Sequence, residues 1–170
     1  MKHSAMKMYG LFGAMIATST VIMYAVMYLN TFAFEHIRYS QTRVWMALLM
    51  GAVMAVVMLL FMIHMYESRR ANGVILLASV VVFAVSLWLV RSQASVYDVD
   101  YMRAMIPHHS IAIMTSNRAH IRDARVRKLA DEIIESQVRE IGEMNQLIAD
   151  LQKNPPPSNA PDLASKTMQQ

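Results

Sequence analysis

Hydrophobic and polar positions divide this chain into two unlike parts. Leu11 to Phe34, Val44 to Tyr66 and Val74 to Val90 run without a charged residue for about 24, 23 and 17 positions. Roughly 20 apolar residues in a helix cross the hydrocarbon core of a bilayer. All three runs therefore predict transmembrane helices, the third being short. Lys2 and Lys7 ahead of the first run would also suit a signal peptide. Its apolar stretch is too long for one, and Thr31-Phe32-Ala33 makes a poor cleavage site, so an uncleaved span is expected.

From Val96 onward the pattern becomes amphipathic and charged, with helical spacing in two stretches. The first runs roughly Val96 to Ala119. The second carries Leu129, Ile133, Ile134, Val138, Ile141, Met144, Leu147, Ile148 and Leu151 at the three- and four-residue steps that one apolar helix face requires. Asp123 is placed to cap its start, and Val126 opens its apolar face. After Lys153 the run Asn154-Pro155-Pro156-Pro157 cannot stay helical, and the rest of the chain is expected to be a disordered tail. No strand-type alternation and no internal repeat is present. The reading is all-α: a membrane domain over 1–91, a helical hairpin over 92–153 and a tail over 154–170. A hairpin of about 55 residues buries too little apolar surface to stand alone. A second copy would complete a four-helix bundle, so a homo-oligomer, a dimer or higher, is expected.

Composition sharpens this division. Residues 1–90 hold six Lys/Arg and two Asp/Glu, whereas 91–170 hold ten of each, so the formal net charge of +4 belongs to the membrane part. A nucleic-acid binder should carry its basic surface on its folded domain, which argues against that class. The one basic cluster outside the spans, Arg118, Arg122, Arg125, Arg127 and Lys128, is followed by five acidic residues between Asp131 and Glu143 and has no interleaved aromatic, as expected of a solvated hairpin tip. Zero Cys excludes disulfides, thiolate metal sites and Cys nucleophiles. With the N-terminus inside, Lys2, Lys7, Arg69 and Arg70 lie inside and Arg38, Arg43 and Arg91 outside. That slight bias favours a C-terminal domain on the outer side, which for a bacterial cytoplasmic membrane is the periplasm or cell exterior.

Chemistry concentrates in Asp98-Val99-Asp100-Tyr101-Met102-Arg103-Ala104-Met105-Ile106-Pro107-His108-His109, followed by Met114. Helical spacing puts Met102, Met105, His108 and His109 on roughly one side. Thioether sulfur favours Cu(I) and imidazole serves copper, zinc and nickel, while calcium or magnesium would need more oxygen ligands. Pro107 either bends this helix just before the histidines or begins a fresh helix at its first turn, leaving the paired His as an incidental polar patch. On the second stretch Gln137, Glu140 and Met144 share a stripe. Glu140 could orient a metal-bound imidazole or ligate directly. The alternative is that the methionines are irregular core filler and Glu140 a solvated charge.

Met105-Ile106-Pro107-His108-His109 with Met114, and then Leu129-Ala130, Ile133-Ile134, Gln137, Glu140-Ile141 and Met144, resembles the domain of unknown function 305 family over about residues 96–151. The resemblance implies a ferritin-like helical bundle, usually exported, with some members associated with copper binding and resistance. It implies metal contacts at Met105, His108, His109, Met114 and Met144. Many relatives have a second hairpin or a Met-rich soluble tail, whereas this chain has a single hairpin and only Met168 near its end.

In the second run Met46, Met50, Met54, Met58 and Met62 recur every fourth residue. A step of four winds the row by about 40° each time, making a slanted ridge that suits helix packing. The ridge could equally pass Cu(I) from thioether to thioether, an outline similar to the eukaryotic trimeric copper-uptake channels, although the third run lacks their Gly-x-x-x-Gly motif. His64 lies near the end of its span, and His36 and His3 read as solvated. Enzymatic readings fare poorly. A di-iron oxidase needs Glu-x-x-His pairs, and none occurs. A hydrolase built on Ser110 beside His109 has no evident orienting carboxylate. The expectation is a non-enzymatic, bilayer-anchored copper-binding module that exchanges metal with a donor or acceptor protein. The alternatives are a metal-free structural protein of the cell envelope or Cu(I) transport through the second span.

Overall fold

The computed structural model describes residues 2–157 and 159–166, with side chains from residue 6 onward. It contains five α-helices and, among the described residues, no strand: α1 (Lys2–Val26), α2 (Gln41–Phe61), α3 (Arg69–Ser92), α4 (Asp98–Arg118) and α5 (Ala124–Lys153). Within α1, α2 and α3, the segments Met6–Val26, Gln41–Phe61 and Arg69–Ser92 are long and apolar enough to cross a membrane, with mean hydropathies of 1.5, 2.6 and 2.7.

Each span differs from the expected run in its ends, for local reasons. α1 stops at Val26 rather than near Phe34, because the apolar residues after it are used in a folded loop. In that loop the Ser40 N–H donates to the Tyr28 hydroxyl, and the Arg43 guanidinium lies 4.3 Å over the Tyr28 ring while donating to the Met27 carbonyl. α2 starts at Gln41 because the Ser40 hydroxyl accepts the Arg43 N–H as an N-cap. It ends at Phe61, and a 3-10 turn over Ile63–Met65 follows. α3 is longer than expected: Ser68 caps its start, and Gln93, in the left-handed region at φ 53°, closes its end.

α2 is the central helix, packed on both α1 and α3. At Gly51 a Cβ would overlap the Thr20 hydroxyl, so only Gly lets α1 approach this closely. At one end Phe12, Ala55, Leu59 and Tyr66 form a buried cluster on which Met58 and Met62 pack. There the Tyr9 hydroxyl donates to Asn72 Oδ1 at 2.8 Å, and Asn72 Nδ2 donates to the Tyr66 carbonyl at 2.9 Å. From this cluster, at Tyr9, Phe12 and Ala55, to Val21, Leu48 and Val82, α1 and α3 flank an open apolar groove of about 810 Å³ over α2.

α4 and α5 form an antiparallel hairpin around Met102, Ile106, Ile113, Ile141 and Met144. The loop between α1 and α2 lies against α4, on the same end of the three-helix unit as the α3–α4 connection. α5 begins where expected: Asp123 Oδ1 accepts from the N–H groups of Arg125 and Val126. The Arg125 guanidinium bonds the Asp123 carboxylate and holds it below the usual carboxylate range. Residues 154–157 and 159–166 carry no helix. The rest of the expected tail, residues 158 and 167–170 with Met168, lies outside the described residues, as does the His3 side chain.

Candidate functional site

α4 runs unbroken through Pro107, so the proline sits inside a helix and does not open a new one. Its missing N–H leaves the turn around Arg103 one bond short. It also makes the buried side of that turn smooth, since Pro107 and Ile106 are fully enclosed. His109 follows on the side of α4 that faces α5, and His108, one residue on and about 100° round, points outward. The two rings stand 6.3 Å apart.

His109 is held at both nitrogens. Nδ1 lies 3.0 Å from the Met105 carbonyl, which can only accept, so Nδ1 carries a proton. Nε2 lies 2.7 Å from Glu140 Oε2 on α5, with one proton between them. The His109 side chain is 11% exposed and that of Glu140 40%, so the pair sits at the edge of the hairpin core with one flank open. Met105 precedes His109 by one turn, and Met144 follows Glu140 by one turn. Because the helices are antiparallel, both thioethers fall on the same side of the His109–Glu140 bond, and Met105 packs against the cluster that contains Met144.

Of the expected site residues, the hairpin thus brings together Met105, His109, Glu140 and Met144. Met102 lies a turn deeper in the same buried cluster, and His108 is exposed beside the group. Met114 does not join it. Nine residues beyond Met105 on a continuous helix, it stands about 180° round the axis. Among the described residues no three His, Cys, Asp or Glu side chains come together, so thioethers are required to bring the donor set beyond two.

His36 is not simply solvated. Its Nδ1 shares a 2.8 Å hydrogen bond with Ser110 Oγ, which also accepts the Phe32 N–H at 2.7 Å. Ser110 is completely buried, and its partner across the hydrogen bond is His36, 74 residues away, with its neighbour His109 turned to Glu140. Arg38 reaches Asn145 on α5 from the same loop. No sequence signal pairs residues so far apart. His64 is exposed in the turn after α2. In the second span Met46 is exposed, Met58 and Met62 pack against the aromatic cluster, and the groove lining contains no methionine.

The profile of the family described as "Domain of unknown function (DUF305)" matches residues 98–170, beginning at the first residue of α4. An uncharacterised protein of Acanthamoeba polyphaga mimivirus is 31% identical over 145 residues, covering 79% of this chain and 91% of that protein. A domain of residues 98–170 is under half of the chain, so that likeness also takes in part of the apolar helices. No solved structure matches. By the domain that starts at α4 and by a relative matched over most of its length, the chain belongs to the DUF305 family.

Proposed function

We propose that this protein is a membrane-anchored, non-enzymatic metal-binding module that sequesters or hands over copper on the outer side of a bacterial cytoplasmic membrane. One observation carries the reading: an imidazole and a carboxylate in direct contact, with two thioethers one turn away, at the open edge of a hairpin. A histidine fixed through Nδ1 on a backbone carbonyl has Nε2 as its ligating atom. His109 Nε2 and the sulfurs of Met105 and Met144 form a mixed soft and borderline donor set, with the hard Glu140 carboxylate beside it to orient the imidazole. That set suits Cu(I) first, and it is poor for calcium or magnesium. The resemblance to copper-associated relatives points the same way.

His108, exposed beside the group, is where a copper donor or acceptor protein would exchange the ion. The bilayer is the other partner, held through α1, α2 and α3. An odd number of spans would put the hairpin on the face opposite the N-terminus, and the slight excess of Lys and Arg on the N-terminal side favours that face as the outer one. Transport along the second span has weaker support, because its methionines do not line the large apolar groove over α2.

A competition titration of the detergent-solubilised full chain with Cu(I) tests the reading. The His108→Ala/His109→Ala double variant is expected to bind about 10- to 100-fold more weakly. Unchanged affinity would defeat a site on these histidines, and a wild type that takes up no Cu(I) would leave a metal-free structural protein as the better account.

A further inference from the structure

The hairpin has two broad sides, and only one is covered. Ser110 and Asn145 face the α1–α2 loop, which bonds both. On a helical projection Met105, His109 and Glu140 lie at the opposite edges of α4 and α5. Along this uncovered side α5 places Val126, Ile133, Glu140 and Leu147 seven residues apart, the repeat of a helix seam that meets another helix. Leu147, and Leu129 beside the seam, are 52% and 56% exposed, and Tyr101 on α4 is 56% exposed. Large apolar side chains at that exposure are ordinary on the spans, where lipid covers them. They are out of place on a hairpin whose other face is charged.

We propose that this face pairs with the same face of a second copy, and that the two chains share the metal site of the preceding section, a reading on which the shared site rests. The size of the face, the doubling of the donor set, the matched charge of the seam and the shared bilayer select a second copy over another partner. The face is about 31 Å long, from 21 residues of α4 at about 1.5 Å each, and about 20 Å wide. Roughly 600 Å² per copy is of the order that stable protein pairs bury. One chain supplies a single inward imidazole and a single carboxylate beside its thioethers, and a two-fold axis near Glu140 doubles that set. Glu140, alone among the seam positions, is charged. An acid in an apolar seam is tolerated where a counter-group meets it, and His109 of the same chain does so at 2.7 Å, so pairing of the two faces leaves no unmatched charge. Both chains also carry their hairpins at the same height above one bilayer, which raises their effective concentration.

The chain has no cysteine, so single cysteines report the pairing directly. In the full-length protein in detergent or nanodiscs, Leu147→Cys is expected to give covalent dimers with a short bis-maleimide. Val138→Cys, equally exposed but toward the loop-covered side, is expected to stay monomeric. Leu129→Glu/Leu147→Glu should lower the native mass to one chain and weaken Cu(I) binding at least tenfold. Equal cross-linking at both cysteines, or a one-chain mass for the wild type, overturns the pairing. A monomeric double-Glu variant with undiminished Cu(I) affinity overturns the shared site while leaving metal binding intact. A dimer through this face that takes up no Cu(I) overturns the metal reading and keeps the pairing.

Discussion

The three-helix unit and the hairpin bury opposite kinds of residue. In α1, α2 and α3 the enclosed positions are mostly small or polar: Ala47, Gly51, Ala52, Ala55, Asn72, Ser79 and Ser86. Most leucines and valines there point outward, with Leu59 and the aromatic Phe12 the large side chains buried at one end. In the hairpin the enclosed positions are mostly large and apolar, Met102, Ile106, Ile113, Ile141 and Met144, joined by Pro107, His109, Ser110 and Ala130, and most charges point outward. The difference is the one expected of three apolar helices that pack in lipid beside a hairpin that packs in water. In lipid, Leu gains little by leaving the surface, so close backbone approach through Gly, Ala and Ser holds helices together. In water, removing apolar area is the main driving force, so the largest side chains go inside. The chemistry-bearing group lies in the water-type half, at the edge where its core meets an uncovered face.

Substitutions that exploit this contrast should differ in size and in place. Ile106→Ala removes a fully buried side chain from the hairpin core and is expected to cost about 2–5 kcal/mol, read as lost hydrogen-exchange protection in α4 and α5 with α1–α3 little changed. Gly51→Leu does the reverse. It forces α1 away from α2 at Thr20, with an expected cost of about 1–3 kcal/mol in detergent thermal unfolding, and leaves Cu(I) affinity unaltered. Ser110→Ala strikes the joint between the halves. It leaves the Phe32 N–H and His36 without their partner, at about 1 kcal/mol, and should raise exchange in the loop between α1 and α2 before any other segment. The smallest effect is expected from Asp123→Ala at the exposed cap of α5. Because Arg125 holds the Asp123 carboxyl below its unfolded value near 3.9, the cap contributes above that pH and is lost as pH falls through the lower folded-state value. The stability difference between wild type and variant should therefore shrink toward zero in acid titrations monitored by circular dichroism.

Much of the fold was legible because its signals are local. The charge-free runs mark the three long apolar helices, the three-and-four spacing marks α5, and Asp123 marks where α5 begins. The end of α1 was not legible, since Met27 to Phe34 is as apolar as a span. Its role as a loop is set by Arg43 and Ser40 downstream and by Ser110 on a distant helix. Pro107 was ambiguous for a related reason. A proline fits either a first turn or a helix interior, and the packing of Ile106 and His109 against α5 decides in favour of the interior. At the candidate site, helical spacing grouped Met105 with His109 and Glu140 with Met144. Which residues face each other across the hairpin depended on register between two helices, which spacing within one helix does not encode. Met114, by contrast, departs from the group by spacing within α4 alone, and the contact of Ser110 with His36 depends on the distant α1–α2 loop.

The most direct measurement is copper-edge X-ray absorption of the Cu(I)-loaded full-length protein, in wild type and in Met105→Leu/Met144→Leu. The account predicts mixed sulfur and nitrogen or oxygen scatterers in the wild type, with the sulfur contribution lost in the variant while a nitrogen shell remains. A wild-type spectrum with no sulfur ligand, or one that the double substitution leaves unchanged, would contradict a site built from these thioethers and the His109–Glu140 pair.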